Sequence, residues 1–138
     1  MKQAFHTVHV STHGAGLYEF TDAVTRFAQS EKIGDGLLTC LIRHTSASLV
    51  VQENADPDVQ KDLQDFFAQL ATKGMNFRHT AEGPDDMPSH IRAALTATSV
   101  TIPVRRGRPA LGTWQGLYVF EHRDAAHERE VVLHFIGD

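Results

Sequence analysis

The stretch His79-Thr80-Ala81-Glu82-Gly83-Pro84-Asp85-Asp86-Met87-Pro88-Ser89-His90 places two imidazoles and three carboxylates within twelve residues. Gly83 and Pro84 keep its middle out of regular structure. A connection this rich in ligand-type side chains is seldom mere connection. A third imidazole, His44, opens His44-Thr45-Ser46-Ala47 far upstream, so any site that includes it must be assembled by the fold. Neutral imidazoles from separate segments suit a divalent metal such as zinc or magnesium. Three protein ligands, His44, His79 and His90, would leave a position open for water or substrate. Glu82, Asp85 and Asp86 could orient the imidazoles through their other ring nitrogens, or Asp86 could act as a general base. Asp85 and Asp86 read equally well as solvated turn residues or as the cap of a helix starting at Pro88. There is no HxH or HExxH pair, and His44 by itself also reads as a core histidine bonded to a carbonyl.

Three other polar groups stand beside this stretch. Thr45 and Ser46 carry small hydroxyls at a strand end, where they can contact an anion or support an imidazole. Glu53-Asn54 ends a second extended run; Glu53 could activate water there, or the pair could be a strand-to-helix turn. In Gly112-Thr113-Trp114-Gln115-Gly116 the glycines allow close backbone approach, and Trp114 and Gln115 offer a flat face beside an amide. Trp114 reads equally as a core or subunit-interface anchor.

These groups need a scaffold, and 138 residues with 41% hydrophobic and 22% charged side chains predict one globular domain, residues 1–138. A net charge of −4, with no basic cluster beyond Arg105-Arg106-Gly107-Arg108, disfavours broad nucleic-acid binding and leaves room for a small phosphorylated metabolite. Cys40 is the only cysteine, which excludes an internal disulfide and a cysteine-based zinc knuckle. No apolar segment is long enough to cross a bilayer and no leader-type apolar region opens the chain, so a cytoplasmic location without membrane contact is expected.

Alternation predicts strands at Phe5 to Val10, Leu37 to Arg43, Ala47 to Gln52, Ser99 to Val104, Trp114 to Glu121 and Arg129 to Ile136. Helical spacing predicts a helix over Thr21 to Ile33 and a second one capped by Asp56 with Pro57 in its first position. In the second helix Val59, Leu63, Phe66, Phe67 and Leu70 form one apolar stripe that reads as core. A third, short helix starts at Pro88, with His90 in its first turn and Ile91, Ala94 and Leu95 as its apolar face. The expected class is α+β: packed, mostly antiparallel sheets in a sandwich-like arrangement with about three helices.

At His44-Thr-Ser-Ala, Glu53-Asn54-Ala-Asp56-Pro-Asp58, His79 before an acidic glycine-containing loop, Pro88-Ser-His90, and Ser99 through Gly107 to Gly112-Thr-Trp-Gln115, the chain resembles the YjbQ family of secondary thiamine-phosphate synthases. The resemblance runs across nearly the whole chain. It implies an α+β fold, a homotrimer, and a histidine-lined pocket at or near a subunit interface. It also implies formation of thiamine phosphate from an aminopyrimidine pyrophosphate and a thiazole phosphate. In that reading a metal on His44, His79 and His90 neutralises the leaving pyrophosphate, Thr45, Ser46 and Arg105 contact anionic oxygens, and Trp114 or Gln115 holds a planar ring. Asn54 and Thr113 complete the substrate contacts. Phe77 departs from the family's usual tyrosine, which removes a phenolic hydroxyl from consideration. Two alternatives stand beside this activity: metal-assisted hydrolysis of a small phosphate ester, with Asp86 or Glu53 activating water, and a non-enzymatic metabolite or metal binder.

Overall fold

Leu38, Cys40 and Ile42 alternate along one strand and are all buried, and the same two-residue period recurs in Val131, Leu133 and Phe135. The computed structural model describes all 138 residues. In chain order the elements are β1 (Lys2–His13), β2 (Gly16–Glu19), α1 (Thr21–Ser30), β3 (Gly36–Ile42), β4 (Ala47–Glu53), α2 (Pro57–Leu70), α3 (Asp86–Leu95), β5 (Ser99–Arg105), β6 (Arg108–Pro109), β7 (Gln115–Glu121) and β8 (Ala126–Gly137). Five strands form one sheet in the order β1-β8-β3-β5-β6, three form a second in the order β2-β7-β4, and every pairing is antiparallel. The α+β expectation of packed antiparallel sheets with three helices matches this architecture.

The core lies between the sheets. Leu38, Cys40, Ile42, Val131, Leu133 and Phe135 meet Ala47, Leu49, Leu117 and Val119 there, and Val24, Phe27 and Ala28 of α1 close one side. Both β1 and β8 run to twelve residues, longer than the alternating runs in the sequence suggest, because they pair with each other from Lys2↔Gly137 to His13↔Ala126. Polar residues at their ends are carried by that ladder. Pro103 lies on β5, whose outer partner β6 has only two residues, so the missing N–H disturbs little of the sheet. Gly36 pairs with Gly137 on β3 and β8, and a Cβ on Gly36 would stand 2.1 Å from the Ile136 carbonyl oxygen. Only glycine allows the strands to meet there.

Two helical expectations need correction. The α2 start is as expected, with the Asp56 carboxylate accepting the Asp58 N–H at 2.9 Å and Pro57 in the first turn. Its apolar stripe is not core, however. None of its residues is buried, and Phe66 and Leu70 are 58% and 41% exposed. The helix rests against the narrow three-stranded sheet and lacks a second layer to cover that stripe. On α3 the buried residues are Asp86, Pro88, Ser89 and Ala93, whereas Ala94 and Leu95 face outward. The helix is oriented by polar contacts at its start. No helix is long and apolar enough to cross a membrane.

Candidate functional site

Helix α3 begins at Asp86, two residues before Pro88. A proline in the first turn costs no helical hydrogen bond, since the N–H it lacks would have had no intrahelical acceptor. The earlier start puts His90 one turn beyond Asp86, so carboxylate and imidazole share a helix face. His90 Nε2 stands 3.0 Å from Asp86 Oδ2. His79, from the preceding loop, brings its Nε2 to 2.6 Å from the same oxygen and 3.6 Å from Glu82 Oε2. One ligand atom from each of His79, Glu82, Asp86 and His90 lies within 4.8 Å of all the others. Asp86 forms the floor of the cluster and is buried, while His79 and Glu82 form its open side.

The protonation of His90 follows from its other nitrogen. Nδ1 lies 2.9 Å from the Thr45 carbonyl oxygen, which can only accept, so Nδ1 carries the hydrogen. In the neutral ring Nε2 then turns its lone pair toward the Asp86 carboxylate. Two electron-rich atoms 3.0 Å apart require a proton or a cation between them. A backbone carbonyl fixing one nitrogen while the other faces outward is the arrangement that orients metal-binding histidines.

Arg123, in the β7–β8 connection, organises the loop. Its Nη1 donates to Asp86 Oδ1 at 2.6 Å, its Nε to Asp85 Oδ2 at 3.0 Å and its Nη2 to the Glu82 carbonyl at 2.9 Å. One oxygen of Asp86 is thereby occupied and the other presented to the imidazoles. Burial alone would raise the Asp86 carboxyl, but its hydrogen bond with His79 and the charges of His90 and Arg123 outweigh it and hold it below the usual carboxylate range. Were this cluster to hold a zinc ion, the Arg123→Gln substitution should weaken its binding by roughly 10–100-fold, the usual effect of losing a residue that orients a ligand. Competition with a chromogenic chelator measures this, and an unchanged affinity would remove Arg123 from the role.

A second polar group lies behind the first. Glu121 and Arg129 are both buried and form a two-pronged ion pair, with Nε at 2.7 Å from Oε1 and Nη2 on Oε2. Thr12 Oγ1 donates to Glu121 Oε1 at 2.6 Å, and the N–H groups of His122 and Arg123 donate to its Oε2. Burial works to raise Glu121, and the bonds from Arg129, Thr12 and Arg123 bring it below its ordinary value. His122 Nε2 and Ser48 Oγ are hydrogen-bonded at 2.9 Å, and Thr96 donates to that hydroxyl at 2.6 Å. Burial, and next the charge of Arg92, bring the His122 pKa down to about 3, so it stays neutral. Ser89 Oγ donates to the His122 carbonyl at 2.8 Å and ties α3 to the residue that follows β7.

The structure divides the sequence-derived residues. His79, His90 and Asp86 converge; His44 does not join them. Its Nε2 accepts the Glu130 N–H at 2.8 Å, because the end of β3 carries it over β8. Within this chain the groups brought together are thus His79, His90 and Asp86, with Glu82 beside them, and not the three expected histidines. Thr45 lends its carbonyl to His90, and buried Ser46 accepts from Arg129 Nη2 at 3.0 Å. Glu53, Asn54, Thr113, Trp114 and Gln115 lie at the other end of the three-stranded sheet, where Glu53 pairs with Gln115, whereas Ala47 pairs with Glu121 near the histidines. Seven residues of strand separate the two ends by about 20 Å at ~3.4 Å per residue. Glu53 is consequently not a base for the histidine cluster of its own chain. Its Oε2 is buried without a partner, Asn54 donates to Glu19 at 3.3 Å, and Trp114 is 63% exposed. Arg105 lies at the Gly36 end of the larger sheet, since Val104 pairs with Gly36, and so is remote from His44.

Fold and site together define an α+β domain of facing antiparallel sheets with imidazole and carboxylate groups gathered at one sheet end. The chain belongs to the YjbQ family: the family model described as "UPF0047 protein YjbQ-like" matches residues 6–138. It is 51% identical to UPF0047 protein sll1880 of Synechocystis over 94% of this chain and 88% of that protein. It is 38% identical to UPF0047 protein YjbQ of Escherichia coli O157:H7 over 96% of each. An uncharacterised YjbQ/UPF0047 protein from Clostridium acetobutylicum has the same fold at a TM-score of 0.83 and 29% identity, covering 94% of this chain and 99% of that one. A YbjQ-like protein of unknown function from Sulfolobus solfataricus superimposes with a TM-score of 0.86 at 18% identity, covering 99% and 100%, which shows the fold alone.

These relatives correct the functional expectation. They carry only the UPF0047 designation, and the Sulfolobus protein is described as of unknown function; none is named a thiamine-phosphate synthase, a phosphate-ester hydrolase or a metabolite binder. The expected synthase activity rested on the family resemblance, and membership of the family does not carry it.

Proposed function

We propose that the chain is a metalloprotein in which His79, Asp86 and His90 hold one divalent transition-metal ion, with Glu82 or an external ligand in the fourth position. The observation that carries this reading is the His90 tautomer, which aims an imidazole lone pair at a buried carboxylate already shared with His79. Tetrahedral ligands on bonds of about 2.0–2.1 Å stand about 3.3 Å apart, so small side-chain shifts from the present spacing admit the ion. A donor set with two imidazoles favours zinc over magnesium, which prefers oxygen ligands and retained water. The ion would polarise an oxygen or nitrogen donor entering its open position.

The test is metal content per chain, measured on untagged protein for the wild type and His90→Ala side by side. About one zinc per chain is expected in the wild type, and at least a tenfold loss of affinity in the variant, with a small change in melting temperature. Absence of metal from both proteins after zinc loading would overturn the reading and make the imidazoles acid/base groups.

The assembly we propose is a homotrimer. Phe5, Leu37 and Leu41 are 68%, 50% and 46% exposed and share the outer face of the five-stranded sheet, which supports burial against another copy. Light scattering at micromolar concentration should give three times the chain mass. A monomer would exclude this assembly.

A further inference from the structure

We propose that His44 and Arg129 form a binding site for a small oxyanion, a phosphate- or carboxylate-type group held between His44 Nδ1–H and Arg129 Nη1. The inference starts from a contact that cannot be a hydrogen bond. His44 Nε2 is 2.8 Å from the Glu130 nitrogen, whose N–H can only donate, so Nε2 is the acceptor and the neutral ring's hydrogen sits on Nδ1. Arg129 Nη1 lies 3.4 Å from that Nδ1, and a guanidinium also only donates. Two donors therefore point toward one another with no acceptor between them.

The rest of the guanidinium is committed. Nε and Nη2 engage Glu121, and Nη2 also reaches Ser46 Oγ at 3.0 Å. For Nη1 the His44 ring is the only protein group at hydrogen-bonding range. Arg129 is 3% exposed, so an unsatisfied nitrogen there is costly and an incoming acceptor is correspondingly favoured. His44 is only partly buried and supplies the side from which a ligand enters. An oxygen placed to accept from both donors gains one charge-assisted bond and one imidazole bond.

The surroundings set the charge. Glu121 is neutralised by Arg129, and the Glu130 carboxylate is turned to Arg43 at 3.4 Å, so neither acidic group cancels the site outright. His127 stands within 4.0 Å of Glu121 on the same side. Burial first, and then the charge of Arg129, keep His44 below its ordinary pKa, in accord with the neutral tautomer. The site is separate from the two-histidine cluster but adjacent to it, since Thr45, next to His44, supplies the carbonyl that orients His90. The inference does not depend on a bound metal.

The experiment uses metal-free protein with nitrogen-15-labelled histidine. Long-range nitrogen–proton spectra give the His44 tautomer, and inorganic phosphate and acetate are then titrated separately. The Nδ1–H tautomer is expected, with saturable shifts at His44. Stronger response to phosphate or to acetate identifies which oxyanion class the site prefers, and either supports it. His44→Phe should weaken binding at least about tenfold, the loss expected for a hydrogen bond to a charged group. His44→Asn, which keeps an acceptor for the Glu130 N–H, provides the same comparison if the phenylalanine disturbs the strand. His90→Ala should change affinity by less than about twofold, because its ring is not one of the donors. The proposal is overturned by an Nε2–H tautomer, by no saturable shift with either anion, by equal affinity in wild type and a folded His44 variant, or by loss of binding in His90→Ala.

Discussion

Replacement of Asp86 by alanine should abolish stoichiometric zinc binding and destabilise the metal-free protein by about 3–5 kcal/mol, the range for breaking a buried charge pair from one side. Asp86 is 1% exposed and carries two loads. Its Oδ1 satisfies Arg123, and its Oδ2 is the point on which His79 and His90 converge. Removing the carboxylate leaves Asp85 as the only acidic partner of the guanidinium and removes the only buried carboxylate in the cluster. Asp86→Asn separates the loads, because the amide oxygen can still accept from Arg123 while the negative charge is gone. It should retain most of the stability and still bind zinc much more weakly. Urea melts in the presence of a chelator, which excludes stabilisation by bound metal, and metal analysis of the same samples provide the check. Zinc bound one per chain in a folded Asp86→Ala protein would disprove the role assigned to this residue.

The other large effect is expected at Glu121. Its side chain is 0% exposed and accepts from Arg129, Thr12 and two backbone N–H groups, so Glu121→Ala strands a buried arginine and should cost about 3–5 kcal/mol. The same residue sets an acid limit. Its folded pKa lies below the ordinary value of 4.5, so the folded state binds the proton less readily than the unfolded state. Its stabilisation is complete above about pH 4.5 and is lost as pH falls through the lower, folded value. Stability measured from pH 7 down to pH 3 should therefore fall on the acid side. The comparison with Glu121→Gln isolates this residue's share, because its amide cannot titrate. Parallel acid profiles for the two proteins would show that the acid sensitivity arises elsewhere.

Much of the fold was visible in the sequence because strand alternation and helix signals are local. Asp56-Pro57-Asp58 marks the α2 start directly, and Leu38, Cys40 and Ile42 are buried on the predicted period. The α2 stripe misled because periodicity reports which residues share a face without reporting what covers that face. At the site, His79, Asp86 and His90 were legible as ligand types in one segment. Their meeting on one carboxylate oxygen depended on α3 starting at Asp86, an offset of two residues that proline in the first turn concealed. His44 failed as a partner because only the β3–β8 pairing shows that its ring turns to Glu130. Arg123 had no signal at all: it lies in a polar connection, and the three groups it holds are some forty residues earlier.

Glu121, His122 and Arg123 are consecutive, yet they serve the Arg129 ion pair, the Ser48 hydroxyl and the Asp85-Asp86 loop in turn. Neighbouring strand residues point to opposite faces, so a single inserted or deleted residue in β7 reverses the assignment of every member of this trio. Length changes that the Arg106-Gly107 hairpin tip could absorb would, in β7, disconnect three neighbourhoods together. Length changes are thus excluded from β7, and natural relatives with insertions should carry them outside this strand.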